Sequence, residues 1–455
     1  MSELILIMLL LPLIGCCFVL TAPDNRNNAY NVTFFTLITN ILIVLRLFSL
    51  IDVKAAETEG FTYRWLENIR LDLYFGVDAF SLLLILGVYF SLTIGLVGLN
   101  ENTRKNKMLL LLTLYFAGCI TAFFTAADIL SFYAFFAGML LPLFMLIGAC
   151  GNTKKIQILY RFFIYNLVGI LFLLAASLIM YKFYHGNIRL SEIALVDMTP
   201  HAGLLVWTAV CVAFISRIPV WPFHSWIASV SSNIRNPLVY IMVNILPLTG
   251  LYGFARFWPL AVPESISSYL PYIEAFTVMT MLFLALIGWV SREFLYKLFA
   301  YSTVYYLFFL LAVILPVDTL KMNIAYSLFI FLLVTSSLVI LDLQFEEKCR
   351  LQTCGYQGIL AYMPRFSIIM SLFWNNFVLI SEIFQENFAV GLWVMAALTI
   401  VALSLLHELY VMRDLKHHEE KAENLDDLSL KQQVFFAGIV AVLFLSFFNP
   451  LWFVF

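Results

Sequence analysis

The amino-acid sequence predicts an all-α polytopic membrane protein with about 14 transmembrane helices. Three observations support this fold class. Of the 455 residues, 63% are hydrophobic and only 12% are charged, which excludes an ordinary water-soluble globule. Apolar stretches near the roughly 20 residues that a helix needs to cross a bilayer recur along the chain. Two of these stretches are interrupted by helix-breaking or strongly polar residues.

The predicted helices follow one another with short polar connections. Each begins and ends where charged or turn-forming residues interrupt the apolar run. The predicted spans are 3–21, 32–51, 77–98, 107–126, 128–149, 157–182, 203–232, 236–256, 267–289, 295–316, 322–343, 358–385, 388–412 and 433–455. Lys and Arg are concentrated in alternate loops, and the even helix count then predicts both termini on the outer side of the membrane. In this topology Arg256 is assigned to an outer loop.

Two ionisable residues, Arg217 and Glu382, lie deep within predicted helices 7 and 12. A charged side chain at membrane depth is costly and is a sign of function. Pro219 and Pro222 follow Arg217 and must break helix 7, and polar residues surround Glu382 in helix 12. Broken helices in matching positions, five spans apart, indicate two inverted five-helix repeats.

These repeats give the predicted organisation of a single transmembrane domain over residues 1–455. It consists of helices 1 to 3 (1–106), a first repeat of helices 4 to 8 (107–256), a second repeat of helices 9 to 13 (267–412), a polar loop (413–432) and helix 14 (433–455).

Five further polar residues have mainly structural interpretations. His224 follows a Pro-Phe pair in the broken helix, and we expect it to bond to opened backbone. His407 and Glu408 lie about one turn from an inner helix end and are predicted to be interfacial. Asp78 and Asp128 stand at helix starts, where a carboxylate caps free N–H groups.

Motifs for bound cofactors are missing from the sequence. The seven cysteines have no metal-binding or redox spacing, and no glycine-rich phosphate loop follows a strand. We therefore expect the chain itself to bind no metal, nucleotide, flavin or iron–sulfur cluster.

Seven short motifs occur in an order that points to one family. They are GVDAFSLLL (76–84), MLLPLFMLIGACG (139–151), RIPVWPFHSW (217–226), LYGFARF (251–257), KLFAYSTV (297–304), SEIF (381–384) and DLSLKQQ (427–433). This set resembles the antiporter-like subunits of respiratory complex I, NADH:quinone oxidoreductase. Within them the chain is most similar to the M-type subunit, called subunit 4 in mitochondria.

The resemblance implies a proton-translocating subunit with 14 helices, two inverted repeats and broken helices 7 and 12. Such a chain is part of a translocase but carries no redox centre itself. NADH, flavin, iron–sulfur clusters and quinone are then expected in partner subunits. The implied partners are other membrane subunits, including further antiporter-like ones, and lipids, with no nucleic acid. The implied location is a bacterial inner membrane or a mitochondrial inner membrane.

The chain departs from the family at four of five charged positions. Ala137 replaces the helix-5 Glu, Leu248 replaces the helix-8 Lys and Tyr306 replaces a His, while Glu382 matches its family counterpart. Arg217 replaces the helix-7 Lys, and a guanidinium stays charged where an amine can release its proton. The resemblance leaves Arg217, Glu382, His224, Tyr306, His407 and Glu408 as candidates for proton translocation.

Three functions remain open at this stage. The chain can pass protons through its remaining polar groups, with Arg217 as a fixed electrostatic gate. Alternatively, it can be a structural subunit that has lost pumping, with Arg217 tying down the broken helix. The third possibility is a subunit of a multisubunit sodium/proton antiporter or a related ion-coupled complex, which has the same fold.

Overall fold

A computed structural model describes most of the chain. The described residues are 1–23, 28–51, 59–66, 71–150, 155–184, 186, 188–195, 199–221, 223–231, 233–261, 269–291, 294–315, 320–350, 379–381 and 383–418.

Helices dominate the described residues, and the predicted fold class is confirmed. They are α1 (Ser2–Thr21), α2 (Asn28–Phe48), α3 (Ala79–Val97), α4 (Glu101–Arg104), α5 (Lys107–Thr125), α6 (Ile129–Gly138), α7 (Leu140–Cys150), α8 (Lys155–Tyr184), α9 (Pro200–Ile215), α10 (Ser225–Ser231), α11 (Pro237–Ala261), α12 (Leu270–Val290), α13 (Phe294–Ile314), α14 (Leu320–Arg350) and α15 (Phe388–His418). A 3₁₀ helix spans Leu190–Leu195. In this part of the chain, eleven helices are long and apolar enough to cross a membrane.

The observed helix ends differ from the predicted ones mainly in the second half. Helix α14 continues to Arg350, and α15 continues to His418, so the first six residues of the predicted polar loop 413–432 are helical. Predicted helix 14 and most of predicted helix 12 lie outside the described residues. The division into two inverted repeats stays a prediction.

Predicted helix 5 is divided into α6 and α7, which meet at Met139. Pro142 explains the division, because a proline lacks the N–H that continues a helix but is tolerated in a first turn. The last carbonyls of α6 are thereby left without partners inside their own helix.

The centre of the bundle is formed by α11 and α13, each with 94% of its apolar span buried. Helices α3, α5 and α14 pack around them and are also mostly buried. The outer helices α1, α2, α8, α12 and α15 bury less than half of their spans, and they expose large apolar side chains such as Phe18 and Met279. Such faces suit contact with lipid or with neighbouring chains.

The helical prediction missed a β-hairpin between α2 and α3. Strands β1 (Glu59–Leu66) and β2 (Leu71–Val77) pair antiparallel, with Phe61 opposite Phe75. The amide of Ala127 donates to the carbonyl of Tyr74 at 2.9 Å, which attaches the hairpin to the start of α6. Alternating apolar and polar residues in this stretch were the available signal.

The predicted capping roles of Asp78 and Asp128 are confirmed. Asp78 accepts from the amide of Ser81 at 3.0 Å, and Asp128 accepts from the amide of Ser131 at 2.8 Å. Asp128 also accepts from the amide of Tyr74 at 2.8 Å and is fully buried. This carboxylate therefore joins the hairpin to α6 as well as capping the helix.

The assignment of Arg256 to an outer loop was wrong. Arg256 lies within α11, and its guanidinium pairs with the Asp78 carboxylate at 2.5 Å. The cation is also 4.9 Å from the ring centre of Tyr252. An ion pair thus joins the end of the central helix to the start of α3.

Candidate functional site

The break in predicted helix 7 separates α9 from α10. Helix α9 ends at Ile215, and a turn precedes α10. The amide of Val220 donates to the carbonyl of Ile218 at 2.7 Å. In a continuing helix it would donate to the carbonyl of Ser216, which is therefore left without its helical partner. The indole of Trp226 donates to that carbonyl at 3.2 Å. The sequence therefore supplies a replacement donor for backbone that the break exposes.

Arg217 lies in this break and is fully buried. One terminal nitrogen donates to the hydroxyl of Thr249 at 2.7 Å, and the other donates to the backbone carbonyl of Phe136. That carbonyl is in the last turn of α6, where carbonyls lack helical partners and a cation is favoured by the helix dipole. The guanidinium carbon is also 3.4 Å from the ring centre of Phe136. Arg217 thus joins the broken helix to α6 and α11.

A close approach of α11 to the break makes this arrangement possible. A Cβ added at Gly250 would lie 2.8 Å from the carbonyl oxygen of Phe214. The Cβ atoms of real side chains do not approach other atoms this closely. Glycine at this position lets Thr249 reach Arg217.

The two positions at which the sequence predicts a lost family charge lie beside these contacts and are apolar. Ala137 follows Phe136 directly and is partly buried, while Leu248 precedes Thr249 and is fully buried. Within the described ranges, no carboxylate pairs with Arg217, and its Nε has no hydrogen-bond partner. The buried cation is held by neutral oxygens and an aromatic face.

Tyr306 lies on the opposite side of α11 and is fully buried. Its hydroxyl donates to the backbone carbonyl of Asn244 at 2.7 Å. The amide nitrogen of Asn244 donates to the hydroxyl of Thr335 at 3.4 Å, and its Oδ1 has no partner among the described groups. Helix α11 therefore contacts Arg217 through Thr249 and Tyr306 through Asn244.

We call Arg217, Thr249, Asn244, Tyr306 and Thr335 the central polar line. Thr249 and Asn244 are five residues apart on α11, a rise of about 7.5 Å. Sequence reasoning identified Arg217 and Tyr306 but not the other three. The missed signal was a polar residue inside an otherwise apolar helix, as in the stretch YIMVNILPLTG.

His224 does not bond to opened backbone through Nδ1 as expected. This nitrogen is buried and has no partner within the described structure. The ring stands edge-on to Phe283, with 5.8 Å between ring centres. His224 instead lines a cavity with about 280 Å³ of empty space, part of it continuous with the surroundings, and the other lining residues are Leu284, Ile287, Tyr296, Phe299, Ala300 and Thr303.

The remaining predicted site residues belong to the second half of the chain. Glu382 lies outside the described residues. His407 and Glu408 lie in the backbone of α15, which continues about three turns beyond them to His418, so the helix does not end at 412 as predicted. Their interfacial position stays a prediction. Their side chains are outside the described part. Among the residues described, no three His, Cys, Asp or Glu side chains form a metal-binding group.

Sequence comparison finds one matching family. The family described as NADH:quinone oxidoreductase/Mrp antiporter, TM, matches residues 126–406. The NADH-ubiquinone oxidoreductase chain 4 of Marchantia polymorpha is 28% identical over 374 residues, covering 80% of this chain and 75% of the relative. The NADH-quinone oxidoreductase subunit M of Rickettsia typhi is 26% identical over 377 residues, covering 80% and 76%.

Solved structures share the fold. A chain of respiratory complex I from Thermus thermophilus with bound NADH matches with a TM-score of 0.83 and 20% identity, over 98% of this chain and 95% of that chain. A chain of the membrane-bound sulfane sulfur reductase, an archaeal respiratory membrane complex, matches with a TM-score of 0.81 and 13% identity, over 100% and 96%. The same bundle therefore occurs in more than one respiratory machine.

Proposed function

This chain belongs to the NADH:quinone oxidoreductase/Mrp antiporter transmembrane family, and from that premise we propose that it is an antiporter-like membrane-arm subunit of a proton-translocating NADH:quinone oxidoreductase. The relatives from Marchantia polymorpha and Rickettsia typhi, which align over 80% of the chain, support this over a sodium/proton antiporter. The structural likeness supports only the fold. The single observation that carries the proposal is a fully buried Arg217 at the break of a membrane-spanning helix, where it donates to Thr249 and to the carbonyl of Phe136.

In the proposed mechanism, the guanidinium of Arg217 is a fixed positive charge in the first half. No proton is exchanged at this position. Arg217 keeps its proton, because a guanidinium stays charged in almost any environment. The contacts to Phe136 and Thr249 support this, since they hold the cation in one place. Ala137 and Leu248 offer no titrating group beside it. Arg217 then acts as a gate that repels a proton arriving from the other half.

Proton transfer is assigned to the second half and its water. A tyrosine hydroxyl both donates and accepts, so Tyr306 can bond to Asn244 and accept from a water at the same time. The unpartnered Oδ1 of Asn244 offers a second place for such a water. Glu382 is the proposed proton-exchanging acid, with His407 and Glu408 as further candidates. His224 is also a candidate, since it belongs to the first half but faces Phe283 and Thr303 of the second. A fixed cation makes it more costly to bring a proton near it, because like charges repel more strongly in low-dielectric surroundings than in water.

The energy for transfer would come from partner subunits. We assign NADH, flavin, iron–sulfur clusters and quinone to those partners, and none of these cofactors to this chain. Its neighbours would be other membrane subunits, including further antiporter-like ones, within the lipid of a bacterial or mitochondrial inner membrane. We also propose that both termini lie on the outer side of the membrane.

The test is the variant Glu382→Gln in the complete complex. We expect an assembled complex that translocates fewer protons per electron pair, measured in sealed vesicles with NADH as donor. Glu386→Gln is the matched control, because Glu386 is exposed and lies four residues later. An unchanged proton-to-electron ratio in both variants would favour the structural subunit. Mass spectrometry of the intact detergent-solubilised complex identifies the partners, and co-purified antiporter components without a dehydrogenase would contradict the assignment.

A further inference from the structure

Helix α12 carries a buried acid that the mechanism above does not use. Glu274 is the fifth residue of this helix and is only 7% exposed. It lies on the buried face of α12 with Val278, Met281 and Ala285, while Met279 on the opposite face is exposed. An ionisable side chain facing a bundle interior within a membrane-spanning helix is a sign of function.

Glu274 meets the start of α15 through Asn387. The amide nitrogen of Asn387 donates to Oε2 of Glu274 at 3.3 Å. The other side of the same amide caps α15, since its Oδ1 accepts from the amide of Val390 at 3.4 Å. Helices α12 and α15 therefore begin at the same side of the membrane, with Glu274 between them.

The hydrogen bonds of this carboxyl are few for a buried anion. An ionised carboxylate has about four acceptor positions, and the described structure fills one of them with a neutral donor. No Lys or Arg pairs with Glu274 within the described residues. A buried carboxylate with so little support is strongly disfavoured relative to its neutral, protonated form. A purely structural acid would be expected to have more donors or a cation.

A short route to the membrane surface is also present. Gln385 and Glu386 directly precede Asn387 and are exposed. Glu274 is thus buried against the bundle, yet its partner residue adjoins the surface.

We propose that Glu274 carries protons between the hydrated interior of the second half and the membrane surface where α12 and α15 begin. The carboxylate takes a proton from a hydronium ion in the interior, which becomes water, and forms the carboxylic acid. The acid then gives that proton to a surface water, which becomes hydronium, and is a carboxylate again. Only O–H bonds form and break, and electron transfer in the partner subunits supplies the drive. This inference rests on the proposed function.

The first experiment compares three variants in the assembled complex. Glu274→Gln should lower the number of protons translocated per electron pair, while Glu274→Asp should retain most of it. Thr280→Val alters another buried side chain of α12, whose hydroxyl donates to the carbonyl of Phe276 in the same helix, so it should leave the ratio unchanged. If Thr280→Val has the same effect as Glu274→Gln, the loss comes from disturbed packing of α12 and the proposal is overturned.

The second experiment uses the wild-type complex and needs no variant to fold. A hydrophobic carbodiimide modifies protonated carboxyl groups in apolar surroundings, and mass spectrometry maps the adduct. We expect modification at Glu274 and none at exposed Glu386. An unmodified Glu274 would overturn the proposal. If Glu382→Gln lowers translocation but Glu274→Gln does not, this inference alone fails; if neither does, the proposed function fails with it.

Discussion

The hydroxyl of Thr249 accepts a 2.7 Å hydrogen bond from the guanidinium of Arg217, and this contact joins the broken helix to the central helix α11. Together with the bond to the Phe136 carbonyl, it gives a buried cation two oxygen partners on two different helices. A planar guanidinium can reach both at once because its donors point in fixed, diverging directions.

Replacing Arg217 by Lys should destabilise the complex. A single ammonium cannot keep both the Phe136 and the Thr249 contacts in their present geometry, and we expect a loss of about 1 to 3 kcal/mol from an unsatisfied buried partner. The measurement is thermal unfolding of the purified complex in detergent. A variant as stable as the wild type, and with more protons translocated, would show that this position still exchanges protons.

Replacing Thr249 by Val should destabilise the same site. The substitution preserves shape but removes the acceptor of a charged donor, at about 1 to 3 kcal/mol. Thr280→Val is the matched control, because Thr280 is also buried and its hydroxyl bonds only within its own helix, to Phe276, among the described residues. Equal unfolding temperatures for the two variants would mean that the Arg217 contact adds no stability.

Replacing Tyr306 by Phe should reduce proton translocation with only a small loss of stability. Loss of the hydrogen bond to Asn244 removes about 0.5 to 1.5 kcal/mol. It also removes a hydroxyl that can both donate and accept from the central polar line. Tyr305→Phe is the control, since Tyr305 is also buried and its hydroxyl makes no hydrogen bond to the described residues. If both variants pump like the wild type, Tyr306 carries no protons.

The ion pair of Asp78 with Arg256 should make the stability of the folded chain depend on pH in the acid range. Burial alone would raise the pKa of the Asp78 carboxyl, but the Arg256 guanidinium and hydrogen bonds from Ser81 outweigh burial and hold that pKa below its ordinary value. Because the pKa is lower in the folded state, the ionised Asp78 stabilises the fold at any pH above its unfolded-state pKa of about 3.9. This stability is lost as the pH falls through the folded-state pKa. Asp78→Asn should remove this dependence, as measured by unfolding temperature against pH.

The size of the Asp78 effect is checked by a double-mutant cycle. Asp78→Asn leaves Arg256 without its charge partner, and for a pair buried from solvent this loss is about 3 kcal/mol. The two side chains retain 15% and 22% exposure, so we expect a smaller value. Arg256→Met alone and the double variant complete the cycle. Strictly additive losses would mean that the pair contributes nothing beyond its separate residues.

Several features followed from local sequence. The apolar lengths predicted the bilayer-spanning helices. Pro219 and Pro222 predicted a break within helix 7, because a missing backbone donor interrupts a helix, and α9 ends at Ile215. Asp78 and Asp128 were identified as caps because a helix start with free N–H groups needs an acceptor. The hairpin had an alternating pattern, but its attachment to Ala127 depends on the position of α6.

The partners of the buried polar groups were decided by the tertiary structure alone. Arg217 meets a carbonyl 81 residues away, and Arg256 meets an acid 178 residues away. Glu274 became notable only when α15 was placed beside it. Composition determined that this chain crosses a membrane. Helices that are apolar on every side carry no periodic pattern that shows which face is buried. Only the packing of the helices therefore decided which polar groups meet inside the bundle.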